Sequence, residues 1–157
     1  MDRRLFLGGY GVGALLFFLE ANRLVTQSNA AINSIPQAAF DARSEAEALV
    51  ALFGTERSQP CDRINLSVPF VTDAALGVQI KIWSAIESPR AIAIMIRNSE
   101  HPLAAFVRLK KAQCFFSTHL KVAKTTPVIA HVLTVDGLRS TSKAIKVTNG
   151  GYGIYAH

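Results

Sequence analysis

Hydrophobic and polar residues alternate along most of the chain from Ile64 onward, which is the pattern of half-buried β-strands. The segments Ile64–Val68 and Val78–Trp83 alternate strictly, whereas Ala91–Ile96 is apolar on both faces, as expected of a central strand. The same pattern predicts further strands at residues 105–109, 115–122 and 128–135, and a last strand that ends at Thr148. Asp136-Gly137 is a typical two-residue hairpin turn before that last strand. Seven or so short strands predict an all-β fold, an antiparallel β-sandwich.

A short helix is predicted before the strands. Ser44 is the candidate N-cap, Glu47 completes a capping box, and Gly54 is the residue expected to end the helix. The apolar side chains of this helix share one stripe that would pack against the sheet: Leu49, Leu52 and Phe53. The small residues of Gln37–Arg43 predict a linker before the helix, and Thr55–Asp62 predicts a polar loop after it.

The N-terminal residues have the pattern of an export signal. Arg3-Arg4 precedes an apolar, glycine-containing run from Leu5 to Leu19, which is short for a membrane span but typical of a signal sequence. The small residues Ser28-Asn29-Ala30 would suit a signal peptidase, so that Ala31 would begin the mature chain. The paired arginines indicate the twin-arginine route, which exports folded proteins, and predict a periplasmic location. The open alternative is an uncleaved segment that anchors the protein to the membrane.

The composition suits one exported domain with a sizeable core. Of the 157 residues, 50% are hydrophobic and 18% are charged, and the formal net charge is +6. The lysines and arginines are spread out, with few aromatic residues between them, so we expect no binding to nucleic acid. The positive charge indicates either an ordinary solvated surface or an attraction for small oxyanions such as sulfate.

The residues that usually carry chemistry form no recognisable catalytic or metal-binding motif. The sequence lacks a nucleophile elbow with a catalytic triad, a phosphate-binding loop and histidines at metal-ligand spacing, so we expect neither an enzyme nor a bound cofactor or metal. His119 and His131 are expected to be partly exposed on sheet faces, and could act as ligands only if their strands are neighbours. Cys61 and Cys114 could form a disulfide, remain free thiols, or carry chemistry themselves.

The glycine-rich segment after the last strand is the most distinctive motif of the chain. It reads Gly150-Gly151-Tyr152-Gly153, and its three glycines place few restraints on the backbone around the tyrosine. Such a segment could reach into the pocket of another protein. The other interpretation is a frayed chain end without a role.

Lys146-Val147-Thr148 followed by this segment resembles the swinging arm of SoxY, the sulfur-carrier subunit of the periplasmic thiosulfate-oxidising Sox system. Several other stretches resemble the same family: residues 40–54, Ile64–Pro69, Asn98–Ala104, Thr118–Val122, Val128–Ala130 and Asp136-Gly137. In that family the residue between the glycines is a cysteine that holds the substrate covalently. Here that position is Tyr152, and Ile154–His157 lengthen the segment beyond it.

The resemblance implies an immunoglobulin-like sandwich that pairs with a SoxZ-type subunit. Members of this family carry covalent sulfur intermediates between the enzymes SoxAX, SoxB and SoxCD. A phenol cannot form and exchange S–S bonds as a thiolate does, so the sequence predicts a SoxY-like subunit without covalent carrier activity. Two alternatives are a carrier that uses Cys114 and an unrelated periplasmic immunoglobulin-like interaction module. The predicted organisation is a signal at 1–30, a linker and helix at 31–62, the sandwich at 63–148 and the tail at 149–157.

Overall fold

The computed structural model describes residues 36–73 and 77–148, which belong to one compact unit beginning at Pro36. The predicted export signal and the predicted tail, including Gly150, Gly151, Tyr152 and Gly153, lie outside these residues. Within them the chain forms two helices and nine strands in the following order: α1 (Gln37–Asp41), α2 (Glu45–Phe53), β1 (Gln59–Pro60), β2 (Ile64–Ser67), β3 (Val71–Asp73), β4 (Gly77–Ser84), β5 (Ala91–Ile96), β6 (Leu103–Arg108), β7 (Cys114–Lys121), β8 (Thr126–Thr134) and β9 (Gly137–Thr148).

The strands form two sheets that face each other. The larger sheet has the order β1-β9-β8-β5-β6, with β3 pairing on β9 as well, and the smaller sheet has the order β2-β4-β7. All the long strand pairs are antiparallel. The main core lies between the sheets, where Ile80 and Ile82 of β4 meet Ile92 and Ile94 of β5 in one buried cluster. This arrangement confirms the predicted β-sandwich.

Strand β5 shows why an apolar run on both faces indicates a central strand. Ile92 and Ile94 point into the core between the sheets, while Ala93 and Met95 belong to a second buried cluster beneath the helices. All four side chains are fully buried. Because successive residues of a strand face opposite sides, a strand covered on both sides must be apolar at every position.

Helix α2 begins and ends where the sequence predicts. The Ser44 hydroxyl accepts a hydrogen bond from the Glu47 backbone N–H at 3.2 Å, and Gly54 ends the helix in the left-handed conformation with φ +71°. The Glu47 carboxylate accepts from the Arg43 N–H at 3.0 Å, one residue before the cap. On the buried side, Leu49 packs in the cluster that covers the larger sheet.

Three short elements are missing from the sequence prediction. Helix α1 lies in the segment predicted to be a linker, and β1 lies in the predicted polar loop. Strand β3 lies between the two strands predicted at Ile64–Val68 and Val78–Trp83. Strands β1 and β3 each add two or three residues to β9 in parallel pairing. Both strands run parallel to β9 and have mostly exposed side chains, so their sequences show no hydrophobic alternation. Their pairing is set by the tertiary structure rather than by local pattern.

Candidate functional site

The end of β9 is the point from which the glycine-rich segment continues, and β3 holds it on one side. Val71 to Asp73 pair with Lys146 to Thr148 in register. The Lys146 N–H donates to the Phe70 carbonyl at 2.9 Å, and the Thr148 hydroxyl donates to the Thr72 carbonyl at 3.2 Å. The strand therefore keeps backbone partners up to its last residue.

Thr125 holds the end of β9 on the other side. Its hydroxyl accepts from the Val147 N–H at 2.9 Å and lies 3.4 Å from the Val147 carbonyl, to which it can donate. The end of β9 therefore has hydrogen-bond partners on both sides.

A pocket with a basic lining lies next to this anchored end. We call it the basic pocket; it has a volume of about 240 Å³ and is lined by residues 96–100, residues 121–124 and Thr126. Thr126 directly follows Thr125 and is 3% exposed, so the wall of the pocket and the anchor of β9 belong to the same short segment. Residues 96–100 form the other wall, where β5 ends.

The charges around the basic pocket are unevenly paired. Arg97 Nη2 lies 3.4 Å from Glu45 Oε2, and Glu100 Oε1 lies 3.2 Å from Arg43 Nη1. Within the described part of the chain, Lys121 and Lys124 line the pocket without an acidic partner. Both lysines are exposed. Two unpaired positive charges therefore border a concave surface beside the anchored end of β9.

Large apolar side chains are exposed at two places on the sandwich. Phe70 and Val71 lie at the end that anchors β9, and their residues are 77% and 41% exposed. Trp83 and Phe115 are direct cross-strand neighbours on the outer face of the smaller sheet, 42% and 58% exposed. They border an open groove of about 1170 Å³ that also contains Val135. Exposed aromatic pairs of this kind are common in surfaces that bind other proteins.

The two cysteines are free thiols in the structure. Cys114 is the first residue of β7, is 3% exposed and belongs to the main core. Burial raises the pKa of the Cys114 thiol above its ordinary value. Cys61 is half-buried and packs against the same core. The disulfide that two cysteines allow is therefore not formed in this structure.

The structure separates the two histidines of the strands. His119 is exposed on β7 of the smaller sheet, as predicted. The prediction for His131 is wrong: its side chain is 1% exposed on β8, where α2 covers the larger sheet. Glu45 at the start of α2 brings Oε1 to 3.3 Å from His131 Nε2, but neither ring nitrogen has a partner in hydrogen-bonding geometry.

Burial is the largest influence on His131 and lowers its pKa below the ordinary value of 6.5. The Glu45 carboxylate opposes this change, and the positive charge of Arg97 adds to it. His131 is therefore a core residue whose burial favours the neutral imidazole, which faces one carboxylate. The alternation of β8 could not reveal this, because the helix that covers the strand is distant in sequence.

Metal-binding and membrane-spanning features are not found in the described ranges. No group of three or more histidine, cysteine, aspartate or glutamate side chains there could hold a metal ion. Neither α1 nor α2 has the length and apolar character needed to cross a bilayer.

Comparison with protein families gives a match that covers most of the chain. The family described as Sulfur oxidation protein SoxY matches residues 49–151. This chain belongs to the SoxY family. Membership excludes the alternative of an unrelated immunoglobulin-like module. The matched region includes all nine strands and extends through Gly151, the residue immediately before Tyr152. No curated protein sequence matches the chain significantly.

Solved structures show the same fold at low sequence identity. The structure of the sulfur carrier protein SoxY from Chlorobium limicola f. thiosulfatophilum is 22% identical, with a TM-score of 0.60, and the match covers 65% of this chain and 94% of that one. A superoxide reductase (neelaredoxin) from Ignicoccus hospitalis is 20% identical, with a TM-score of 0.53, and the match covers 61% of this chain and 98% of that one. At these identities the likeness shows a shared sandwich and nothing more specific.

Sequence reasoning missed the features that depend on tertiary contacts. The basic pocket combines residues at the end of β5 with residues at the end of β7, which lie more than twenty positions apart. Their charges are visible in the sequence, but their convergence is not. The sequence could have predicted the exposure of Trp83, because this residue lies on the polar face of an alternating strand. The strand register then places Phe115 beside it.

Proposed function

We propose that this protein is a SoxY-type subunit of a periplasmic thiosulfate-oxidising system that pairs with a SoxZ-type subunit and carries no sulfur covalently. The observation that carries the proposal is Tyr152 between the glycines of a segment that otherwise follows the SoxY pattern. A sulfur carrier needs a thiolate that forms and exchanges S–S bonds, and a phenol has no sulfur with which to do so.

The geometry of the remaining thiols supports the loss of carrier activity. Cys114 is buried in the core, and its raised pKa reduces the fraction of reactive thiolate. Cys114 is also the first residue of β7, and every residue of β7 pairs with β4, so its backbone is held in the sheet. Cys61 donates its backbone N–H to Ser140 and packs against the core. Neither residue has the exposed position that transfer between several enzymes requires.

The anchored end of β9 supports the retention of an arm-like segment. β3 and Thr125 hold Val147 and Thr148, so the residues that follow begin from a defined place on the sandwich. We propose that this segment contacts Sox partners non-covalently, with Tyr152 occupying the position of the carrier cysteine. The twin-arginine pattern of residues 3–4 supports export with a partner already bound, because this route carries folded proteins.

A reconstituted thiosulfate-oxidising mixture tests the proposal. With SoxAX, SoxB, SoxCD and a SoxZ-type subunit, this protein as the only SoxY-type subunit should support no thiosulfate consumption. In a mixture that contains an active SoxY and limiting SoxZ, adding this protein should slow consumption, because it competes for SoxZ. Thiosulfate consumption in the mixture that has this protein as its only SoxY-type subunit would contradict the loss of carrier activity. An unchanged rate in the competition would contradict the pairing.

A further inference from the structure

The helices α1 and α2 cover the outer face of the larger sheet, and a buried histidine lies beneath them. We infer that this helical cover, residues 37–53, is an acid-sensitive lid: it detaches from the sheet when the His131 imidazole takes up a proton, while the two sheets stay together. The inference rests on the described residues and not on Tyr152, so it is independent of the proposed function.

The position of His131 leaves both of its ring nitrogens without a hydrogen bond. The side chain is buried, and neither nitrogen is hydrogen-bonded to another described residue. On β8 it lies between Ala93 of β5 and Ser140 of β9, neither of which carries a charge. The Ser140 hydroxyl is hydrogen-bonded to the Ser58 hydroxyl instead. Because a buried polar group without a hydrogen bond costs free energy, opening the cover to water relieves a penalty of the closed state.

Two charged groups influence His131, one from α2 and one from the segment after β5. Glu45 Oε1 lies 3.3 Å from His131 Nε2, and Arg97 Nη2 lies 3.4 Å from the other oxygen of the same carboxylate. Burial is the largest influence on the pKa of His131 and lowers it; the carboxylate opposes this change and Arg97 adds to it. The imidazole therefore binds a proton more readily when the cover is open, so acid favours the open state.

The helical cover is attached to the sheet by few buried contacts. Leu49 is the one large side chain of the two helices that is fully buried, and the other buried helical residues are Ala39 and Ala48. The helices have five and nine residues, lengths at which a helix depends on packing for its stability. The ion pairs of Glu45 with Arg97 and of Arg43 with Glu100 are largely exposed and add little. Segments with few buried contacts are those that open locally.

Hydrogen exchange of the backbone amides, expressed as protection factors, tests the inference on the full chain. The opening of α2 should become more frequent between about pH 7.5 and about pH 5.5, by up to about tenfold, the largest factor that one proton with an open-state pKa of 6.5 can give. This opening should depend little on urea, because it exposes only the surface under the helices. The amides of β4 should exchange through a rarer opening that urea strongly promotes.

Three single variants assign the response to a residue. His131→Phe should abolish the acid response, because phenylalanine cannot be protonated. His101→Gln is the matched control, since His101 is exposed in the turn between β5 and β6, and it should leave the response unchanged. Glu45→Gln tests the same idea with His131 intact. It removes the one group that favours a protonated imidazole in the closed state, so its acid response should be at least as large as that of the wild type.

Three outcomes would overturn the lid. The first is a protection factor in α2 that does not change with pH. The second is an opening of α2 with the same urea dependence as that of β4, which would mean that the helices open only when the whole domain unfolds. The third is an acid response that persists in His131→Phe or disappears in Glu45→Gln, since either result would assign the response to a group other than His131.

Discussion

His131 is the residue at which a charge change has the clearest consequence for stability. It is buried beneath α2, with Glu45 and Arg97 as the charged groups that influence it. Because burial lowers its pKa in the folded state, the unfolded chain binds more protons around the ordinary value of 6.5. Stability from this residue is therefore present above that value and is lost as the pH falls through it towards the lower folded pKa.

We expect the free energy of unfolding to fall between about pH 7.5 and about pH 5.5, by at most about 1.4 kcal/mol per pH unit from this one proton. His131→Phe should remove that contribution, since it replaces the imidazole with an apolar ring. His119→Gln is the control, because His119 is exposed on the other sheet. Urea unfolding at several pH values measures the effect. An identical pH dependence in His131→Phe and the wild type would show that His131 does not titrate as described.

Position 152 shows what a single residue in the sequence can decide. The residues around position 152 have no thiol that could replace a carrier cysteine. The residue type at this position therefore predicts by itself the loss of S–S exchange. The pocket beside β9 is the opposite case, because Lys121 and Asn98 have ordinary roles when considered separately. Only the packing of the turn after β5 against the segment after β7 brings them together.

At the level of elements, local signals predicted the helix and the long strands and missed the short ones. Strict alternation predicts β4, and the Asp136-Gly137 signal predicts the β8–β9 hairpin. The predicted turn is wrong by one residue, because Thr134 pairs with Gly137 and the two turn residues are Val135 and Asp136. Ser44 and Gly54 define α2 because capping is a local interaction of the backbone with adjacent residues. β1 and β3 have no such signal, because each is a short addition to β9 that lies far away in sequence.

The cap of α2 gives a quantitative test of this reasoning. Ser44→Ala removes the hydroxyl that accepts from the Glu47 N–H, so one donor at the helix start loses its partner. We expect a loss of about 1 kcal/mol in the free energy of unfolding. Ser67→Ala, on the exposed face of β2, is the matched control and should change stability much less. Urea unfolding midpoints compare the two, and equal effects would mean that the cap contributes nothing specific.

For the whole molecule, exposed aromatic side chains indicate that the sandwich normally has a partner. Trp83 and Phe115 form one apolar area on the smaller sheet, and Phe70 forms another beside β9. An isolated chain would leave these areas in water. The arrangement fits a subunit that is covered in an assembly, as the SoxY family membership leads us to expect.

We therefore expect the isolated protein to self-associate at micromolar concentration and to form a one-to-one complex when coexpressed with a SoxZ-type subunit. Sedimentation velocity measures both states. The double variant W83S/F115S should reduce self-association, because it removes the aromatic pair. Val50→Ser is the control, since Val50 is 52% exposed on α2, away from the smaller sheet. A monomeric wild-type protein would contradict the need for a partner.

The central claim is that this SoxY-family chain carries no sulfur covalently, and intact mass measurement tests it most directly. After incubation with thiosulfate, a competent SoxAX and an electron acceptor, the wild-type mass should be unchanged. Tyr152→Cys should gain a thiosulfate-derived adduct, whereas Tyr155→Cys, which places a thiol outside the three glycines, should gain none. A covalent adduct on the wild-type protein, at Cys61, Cys114 or any other residue, would contradict the account.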